Sequence, residues 1–475
     1  MQASISPRRH AAGQLMLTCG GLLVFFLIFA AIPGGSHSQQ VREHISNGVG
    51  AAHRYLTAQD RQVERFSWHQ CLGGAEWGNE GWPFPGVTPV KHRHCHFKNV
   101  CVKLLPIDHL RYDTETNYTV GLTYYKSPLL AGGPEIWSTT QSNEEPWLMT
   151  DRDHYLLKTE SLEPMPKNRR FVKEPTVIMG SFWPQNFGHA LGDDSLPAFR
   201  LLRQYELVQK DNYYVFHQSC KQRGGDVGCK NERGVMEFLT TKPYQEIGGE
   251  LFPDADTEVC FADVVMGPNE VTMRRVDERA WPDMIQHMKR QAGIKPNGPI
   301  KKHKVVIIEK HGRRTWLNFK EVREHIEKTY GVETILINPA AMTVKEQMAL
   351  LDATTVLVTP PGGASFSSEF LHKGATAVFA EWWSERDQRS YPMDQEIYTW
   401  NADLHPLFYP LTRYDLTLDR SAIHPDVLAK NTDEVLWQGW SNVTINLPRL
   451  DVYLRAAFVH SSQAIGIKLP PGLLA

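Results

Sequence analysis

Between Lys304 and Glu381 the chain repeats one pattern four times: a short apolar run, a turn and a longer mixed segment. The runs are "KVVIIE", "ETILI", "TTVLVT" and "TAVFA". Runs this continuous suit strands buried on both faces, and helix-length spacers between them make βαβ units. Turn chemistry marks the spacers. Asn318 and Glu321 form a capping pair for a helix ending near Tyr330 at Gly331. Thr343 and Glu346 form a second capping box, for a helix running to Asp352. A short helix then runs to about His372 and stops at Gly374. The pattern predicts an α/β domain with a doubly wound parallel sheet.

A chain of 475 residues holds more than one such unit. A weaker alternation runs from about 170 to 295. "PTVIMG", "YYVFH" and "ADVVMG" read as strands, the stretch beginning "NFGHALGDDSLPAF" as a helix, and Val276 to Ala292 as a helix interrupted near Pro282. Residues 66–150, rich in Trp, Pro, Gly and His, read as irregular. We divide the chain into a tail (1–14), an apolar span (15–32), a stem (33–65), an N-terminal lobe (66–295), a C-terminal lobe (296–430) and a terminal segment (431–475) that packs back on the N-terminal lobe. With 41% hydrophobic and 22% charged residues the chain is of globular type. A net charge of −2 advertises no basic face, so nucleic acid is excluded as a partner class.

The apolar span sets the expected compartment. Leu15–Ile32 is long enough to cross a bilayer, and no charge interrupts residues 11–41. Arg8 and Arg9 precede it, which orients a type II signal anchor with a lumenal body; a cleaved signal peptide is the alternative. Cys71, Cys95, Cys101, Cys220, Cys229 and Cys260 then suit disulfides, Cys95–Cys101 and Cys220–Cys229 being plausible staples by spacing. Asn117 and Asn442 begin glycosylation sequons.

Open parallel sheets bind ligands beyond the carboxyl ends of their strands. After the first run of the C-terminal lobe come Arg313 and Arg314. After the third come Pro360, Pro361, Gly362, Gly363, Ala364 and Ser365, and after the fourth comes Glu381. Glycines admit a ligand to the backbone, a helix start offers N–H groups, and arginines match phosphate oxygens. Ser365 and Ser367 would add hydroxyl donors, and Glu381 would take a ribose diol. A tight turn that binds nothing is the plain alternative; the loop is neither a dinucleotide fingerprint nor a P-loop.

A second cluster is "NFGHALGDDSLPAF". His189 and Asp193 lie four apart on a helix, a spacing that pairs an imidazole with an orienting acid, and Asp194 follows. A helix cap with a solvated acid pair is the bland alternative. "KHRHCHF" (91–97) reads as a disulfide-bearing polar segment rather than a zinc site. Asp151–Asp153 and Asp254–Asp256 have the D-x-D form of some metal sites, a pattern common by chance.

Three blocks together resemble glycosyltransferase family 61. "NFGHALGDDSLPAF" is similar to its first block, and the H-x-x-x-D-D-x-x-P spacing resembles the protein O-mannose β-1,4-N-acetylglucosaminyltransferase branch. "VVIIEKHGRRTWLN" is similar to the second, and the run from "TVKEQ" to "AEWW" follows the order of the third. The family usually has His-Gly-Ala-Gly where this chain has Pro361–Ala364, so no role for that His is carried over.

The resemblance implies a GT-B fold, two Rossmann-like lobes with a cleft between them. It implies an inverting, metal-independent transferase with no cofactor, using a UDP-sugar donor and a glycan or glycoprotein acceptor. Localisation would be the Golgi or ER membrane, with a lumenal catalytic domain. The implied donor residues are Arg313, Arg314, Gly362, Gly363, Ala364, Ser365 and Glu381. The base is Asp193 or Asp194, with His189 close behind. Two rivals stand beside it: another Golgi nucleotide-dependent transferase, and a non-catalytic glycan-binding protein on a decayed transferase fold.

Overall fold

The computed structural model describes residues 66–72, 94–106, 118–125, 149–151, 154–161, 163–179, 186–207, 213–217, 230–246, 248–254, 256–266, 279–392, 395–399 and 401–474. The apolar span, the stem, Cys220–Cys229 and Asn117 of the first sequon lie outside this set. Among the described residues no helix is long and apolar enough to cross a membrane.

Two sheets organise residues 65–475, which form one compact unit. The first has nine strands. It runs β4 (Met149–Asp151), β5 (His154–Ser161), β3 (Tyr118–Tyr125), β2 (His94–Pro106), β9 (Val259–Met266), β7 (Thr176–Met179) and β8 (Tyr214–His217), with β1 (Trp68–Leu72) on β2 and β6 (Phe171–Val172) on β9. Its β7–β8 and β7–β9 pairs are parallel, whereas β2 runs antiparallel to both β3 and β9. The region read as irregular is therefore strand-bearing, and "HCHF" opens a 13-residue strand. Its pairing residues are too far apart in sequence to leave a local signature.

The same pairing corrects one disulfide. Cys101 is bonded to Cys260, its cross-strand partner in the β2–β9 register. Cys95 lies six residues from Cys101 on the same strand, about 20 Å away, far beyond the roughly 7 Å that a disulfide spans. Cys95 is itself disulfide-bonded, and Cys71 stands opposite it in the β1–β2 register.

The second sheet is wholly parallel, in the order β11 (Glu333–Ile337), β10 (Lys304–Ile308), β12 (Val356–Thr359), β13 (Thr376–Ala380), β14 (His405–Tyr409). The four expected strands are present and β14 adds a fifth. Alternate residues enter two cores. Val306, Ile308, Leu357, Ala377 and Phe379 face one, which includes α1 (Leu196–Gln204), α2 (Ala280–Gln291) and α4 (Val344–Leu351). Val305, Ile307, Val356, Val358 and Val378 face the other, with α3 (Phe319–Tyr330) and α5 (Leu447–Ile465). Each buried aliphatic side chain contributes about 1.5–3 kcal/mol, which is why these strands read as unbroken apolar runs.

Three local expectations change. Thr343 and Glu346 do close a capping box, but Asn318 does not cap α3: its amide exchanges two hydrogen bonds with the backbone of Ile445. Pro282 does not interrupt α2, because it sits in the first turn, where its missing N–H has no helical partner to lose. The terminal segment packs on the second sheet, α5 burying Leu450, Leu454, Ala457 and Phe458 there.

Candidate functional site

The order of the second sheet is 2-1-3-4-5, so its direction of winding reverses between β10 and β12. A crevice opens at such a switch point, beyond the carboxyl ends of those two strands. The loops leaving them carry Lys310–Arg314 and Pro360–Ala364.

The β10 loop turns back through two left-handed residues, Gly312 at φ 81° and Arg314 at φ 57°. A non-glycine there costs on the order of 1–3 kcal/mol and persists where surroundings hold it. Arg314 is held against the β12 loop: a Cβ on Gly362 would lie 3.0 Å from its Nη2 and 3.1 Å from Lys310 Nζ. Lys310 donates to the Pro361 carbonyl at 2.8 Å. Burial pushes the Lys310 pKa down to about 7, and Arg314 and Arg313 press it the same way.

The paired glycines serve two purposes. Gly362 has φ 106° and ψ −171°, a region reserved for glycine. Gly363 is where the N-terminal half arrives, since a Cβ there would lie 1.8 Å from Asn186 Oδ1. Asn186 is also turned onto its own helix, accepting from the Gly188 N–H at 3.0 Å. Behind this contact Phe366 packs on Gly188 and Gly192. The two sequence blocks are thus brought face to face.

A cleft of about 780 Å³ lies here, within the usual range of ligand pockets. Asn186, Phe187, Lys310, Arg313, Arg314, Gly363 and Ala364 line one part of it; Lys230, Arg233, Met342, Thr343 and Lys345 line another. Arg233 is paired with Glu246 at 2.5 Å. What remains is a cationic wall around two close-set loops, suited to a doubly charged oxyanion group.

Of the expected donor residues, Arg313, Arg314, Gly363 and Ala364 line the cleft, and Gly362 lies under Arg314 and Lys310. The others are engaged elsewhere. Ser365 is buried, donating to Gly362 O and touching the Tyr398 hydroxyl, both at 2.5 Å. Ser367 donates to Gln347 at 2.9 Å. The Glu381 carboxylate accepts from Ser390, and burial raises its pKa. The segment after Gly362 is a 3-10 helix, Gly363–Phe370, and not the α-helix expected there; its i→i+3 bonding already engages the Ser365 N–H with the Gly362 carbonyl.

The His189 cluster also differs from expectation. His189–Ser195 is a π-helical turn, so a shared face worked out for 3.6 residues per turn does not transfer to 189 and 193. Asp194 is buried, in the electrostatic neighbourhood of Tyr244 and Glu232. His189 is half-buried, and the Asp193 side chain lies outside the described set. Lys310, Lys230 and Lys345 went unnoticed in the sequence, and Asn186 entered only as the first residue of the "NFGHALGDDSLPAF" block. Of the three lysines Lys310 gives a signal there, as a cation two residues past a buried strand.

Among the described residues no cluster of His, Cys, Asp or Glu has the makings of a metal site. Asp254 accepts from Thr257 and Asp256 pairs with Lys103. Asp151–Asp153 lies partly outside the described set.

Residues 187–378 match the family model described as Glycosyltransferase 61. Protein O-linked-mannose beta-1,4-N-acetylglucosaminyltransferase 2 of Xenopus laevis is 23% identical over 237 residues, 47% of this chain and 39% of that protein. The Xenopus tropicalis protein of the same name is 22% identical over 237 residues. The chain thus spans about two fifths of the length of these relatives. Among solved structures, the iron-containing dodecameric glycosyltransferase TibC of enterotoxigenic E. coli is 10% identical at a TM-score of 0.25, covering 68% of this chain and 81% of that one. Its complex with ADP-D-beta-D-heptose is 12% identical at 0.23, covering 61% and 76%. Scores this low do not establish a shared topology.

Proposed function

Through residues 187–378 the chain belongs to glycosyltransferase family 61, and from that premise we propose that it transfers a sugar from a UDP-sugar to a glycan or glycoprotein acceptor, with inversion. The observation that carries this reading is the convergence of Arg314 and Lys310 on Gly362 at the sheet's switch point. In an in-line displacement the acceptor oxygen bonds to the anomeric carbon as the bond to the diphosphate oxygen breaks. Charge grows on the leaving group, and cations already placed there stabilise it without reorganising. Lys310, Arg313 and Arg314 do this in place of a divalent ion, so activity is expected to persist in excess chelator. A base takes the acceptor proton. His189 and Asp193 are the candidates for it, since Asp194 is buried.

The two-lobed GT-B arrangement is part of the same reading, with the first sheet on the acceptor side. The Cys101–Cys260 bond supports a secretory-pathway setting, where disulfides persist. The test is a thermal-shift screen of the protein against UDP, GDP, CMP and PAPS, with Arg314→Ala alongside. UDP should stabilise the wild type and not the variant, and UDP-sugars should then be hydrolysed. Stabilisation by another nucleotide, or equal stabilisation of both proteins by UDP, overturns the assignment. UDP binding with no hydrolysis or transfer of any UDP-sugar would move the chain to the non-catalytic class.

A further inference from the structure

Two of the cleft's arginines, Arg313 and Arg314, are laid against tryptophans, and the elements behind them come from outside the matched region. Arg314 lies over Trp382, its Cζ 5.7 Å from the ring centre. Arg313 lies over Trp440 at 5.2 Å, and its Nε donates to the Gly439 carbonyl at 3.1 Å. The Trp382 indole N–H donates to Gln438 O at 2.7 Å, tying the two tryptophans to one turn of chain.

That turn is anchored independently of the arginines. Val443 N donates to Thr315 O and Leu317 N donates to Val443 O, both at 2.8 Å. Asn318 Oδ1 and Nδ2 hold Ile445 N and O, both at 2.9 Å. The loop leaving β10 is therefore zipped along its outer side to residues 438–445. Space at the clamp is tight, since a Cβ on Gly439 would stand 2.8 Å from Arg313 Nη2.

We infer that residues 438–445 are a positioning clamp for the donor site: Gly439 and Trp440 orient the Arg313 guanidinium toward the cleft, so the terminal segment sets affinity for the donor's diphosphate without touching it. This rests on the diphosphate reading above. Stacking on an indole and one backbone acceptor remove most of the rotational freedom of a long side chain, and less entropy is then lost on binding. The clamp also explains why the amide of Asn318 is committed to Ile445 instead of capping its helix.

The experiment measures UDP and inorganic pyrophosphate binding by calorimetry on the full chain. Gly439→Ala and Trp440→Ala should each weaken UDP about tenfold, and should add nothing further in an Arg313→Ala background. Trp440→Phe, which keeps a ring under the guanidinium, should retain most of the affinity. Phenylglyoxal labelling of Arg313, located by peptide mass spectrometry, should rise in Gly439→Ala at unchanged melting temperature. The clamp is overturned if Gly439→Ala weakens UDP as much without Arg313 as with it. It is also overturned if Gly439→Ala binds as the wild type while Arg313→Ala and Arg314→Ala are impaired. If Arg314→Ala leaves both ligands at wild-type affinity, the diphosphate reading fails; the labelling result still reports whether Gly439 holds the guanidinium.

Discussion

The five-stranded sheet is assembled from neighbours in sequence, whereas the nine-stranded sheet is closed by pairings such as β2 with β9, whose Cys101–Cys260 bond spans 159 positions. In the first, the strands Lys304–Ile308, Glu333–Ile337 and Val356–Thr359 are each followed by a helical segment that enters one of the two flanking cores, and the strand order itself says where a ligand goes. In the second, β9 lies between β2 and β7, both remote from it in the chain. The chemistry follows the same division. Lys310, Arg313, Arg314 and the paired glycines sit on the loops of the local sheet, and the half built on the long-range sheet delivers Asn186, Lys230 and Arg233 and the packing face beneath Asn186. A binding site built this way has one half that is preformed and another that must be docked against it.

The sharpest way to break that picture is at the junction. Gly363→Ala drives a methyl into Asn186 and should abolish measurable UDP binding while lowering the melting temperature. Adding Asn186→Ala should restore the melting temperature but not the binding. Recovery of both would mean that the two halves need not meet there for the ligand.

Removing the long-range staple, with Cys101→Ala and Cys260→Ala together, should cost about 2–5 kcal/mol of stability and leave UDP affinity within twofold below the transition. An equal loss of affinity at a temperature where the protein is folded would show that the site is not confined to the local half.

Arg314→Ala should cost about 1.5–3 kcal/mol in UDP binding, the scale of hydrogen bonds to a charged group, at unchanged melting temperature. A UDP-sugar of unchanged affinity would remove Arg314 from the site.

A smaller effect separates Lys310 from its neighbours. Its pKa of about 7 in the empty cleft is depressed by burial first, then by the arginines, and a bound diphosphate favours the protonated ammonium. Affinity for a UDP-sugar should therefore be full below about pH 7 and fall as the pH rises past that value. Lys310→Arg should flatten the profile, because a guanidinium stays charged throughout. A profile that is the same in both proteins refutes the titration. Least of all should Glu381→Gln matter, since its carboxylate is taken by Ser390 outside the cleft; a tenfold loss of UDP affinity would restore it to the site.

Legibility in the sequence tracked locality. The strands from Lys304 to Ala380, the Thr343–Glu346 box and the stop at Gly331 were readable, because each depends on residues within one turn or one strand. Arg314 and the paired glycines could be placed together from the sequence because parallel strands must bring them to one rim. Ser365, Ser367 and Glu381 stood at the same rim in the sequence, and their side chains are engaged by other residues of the chain. Whether a hydroxyl or carboxylate faces a ligand depends on partners such as Tyr398, Gln347 and Ser390, and strand position says nothing about those.

The amino-acid order by itself determined the parallel sheet and the rim that carries Arg313, Arg314 and the paired glycines, since apolar periodicity and turn residues act over a few positions. Only the tertiary structure decided that Asn186 closes on Gly363, that Cys101 bonds Cys260, and that residues near Gly439 back the arginine loop. Each of those joins segments tens to hundreds of residues apart, whose meeting is governed by how whole cores pack.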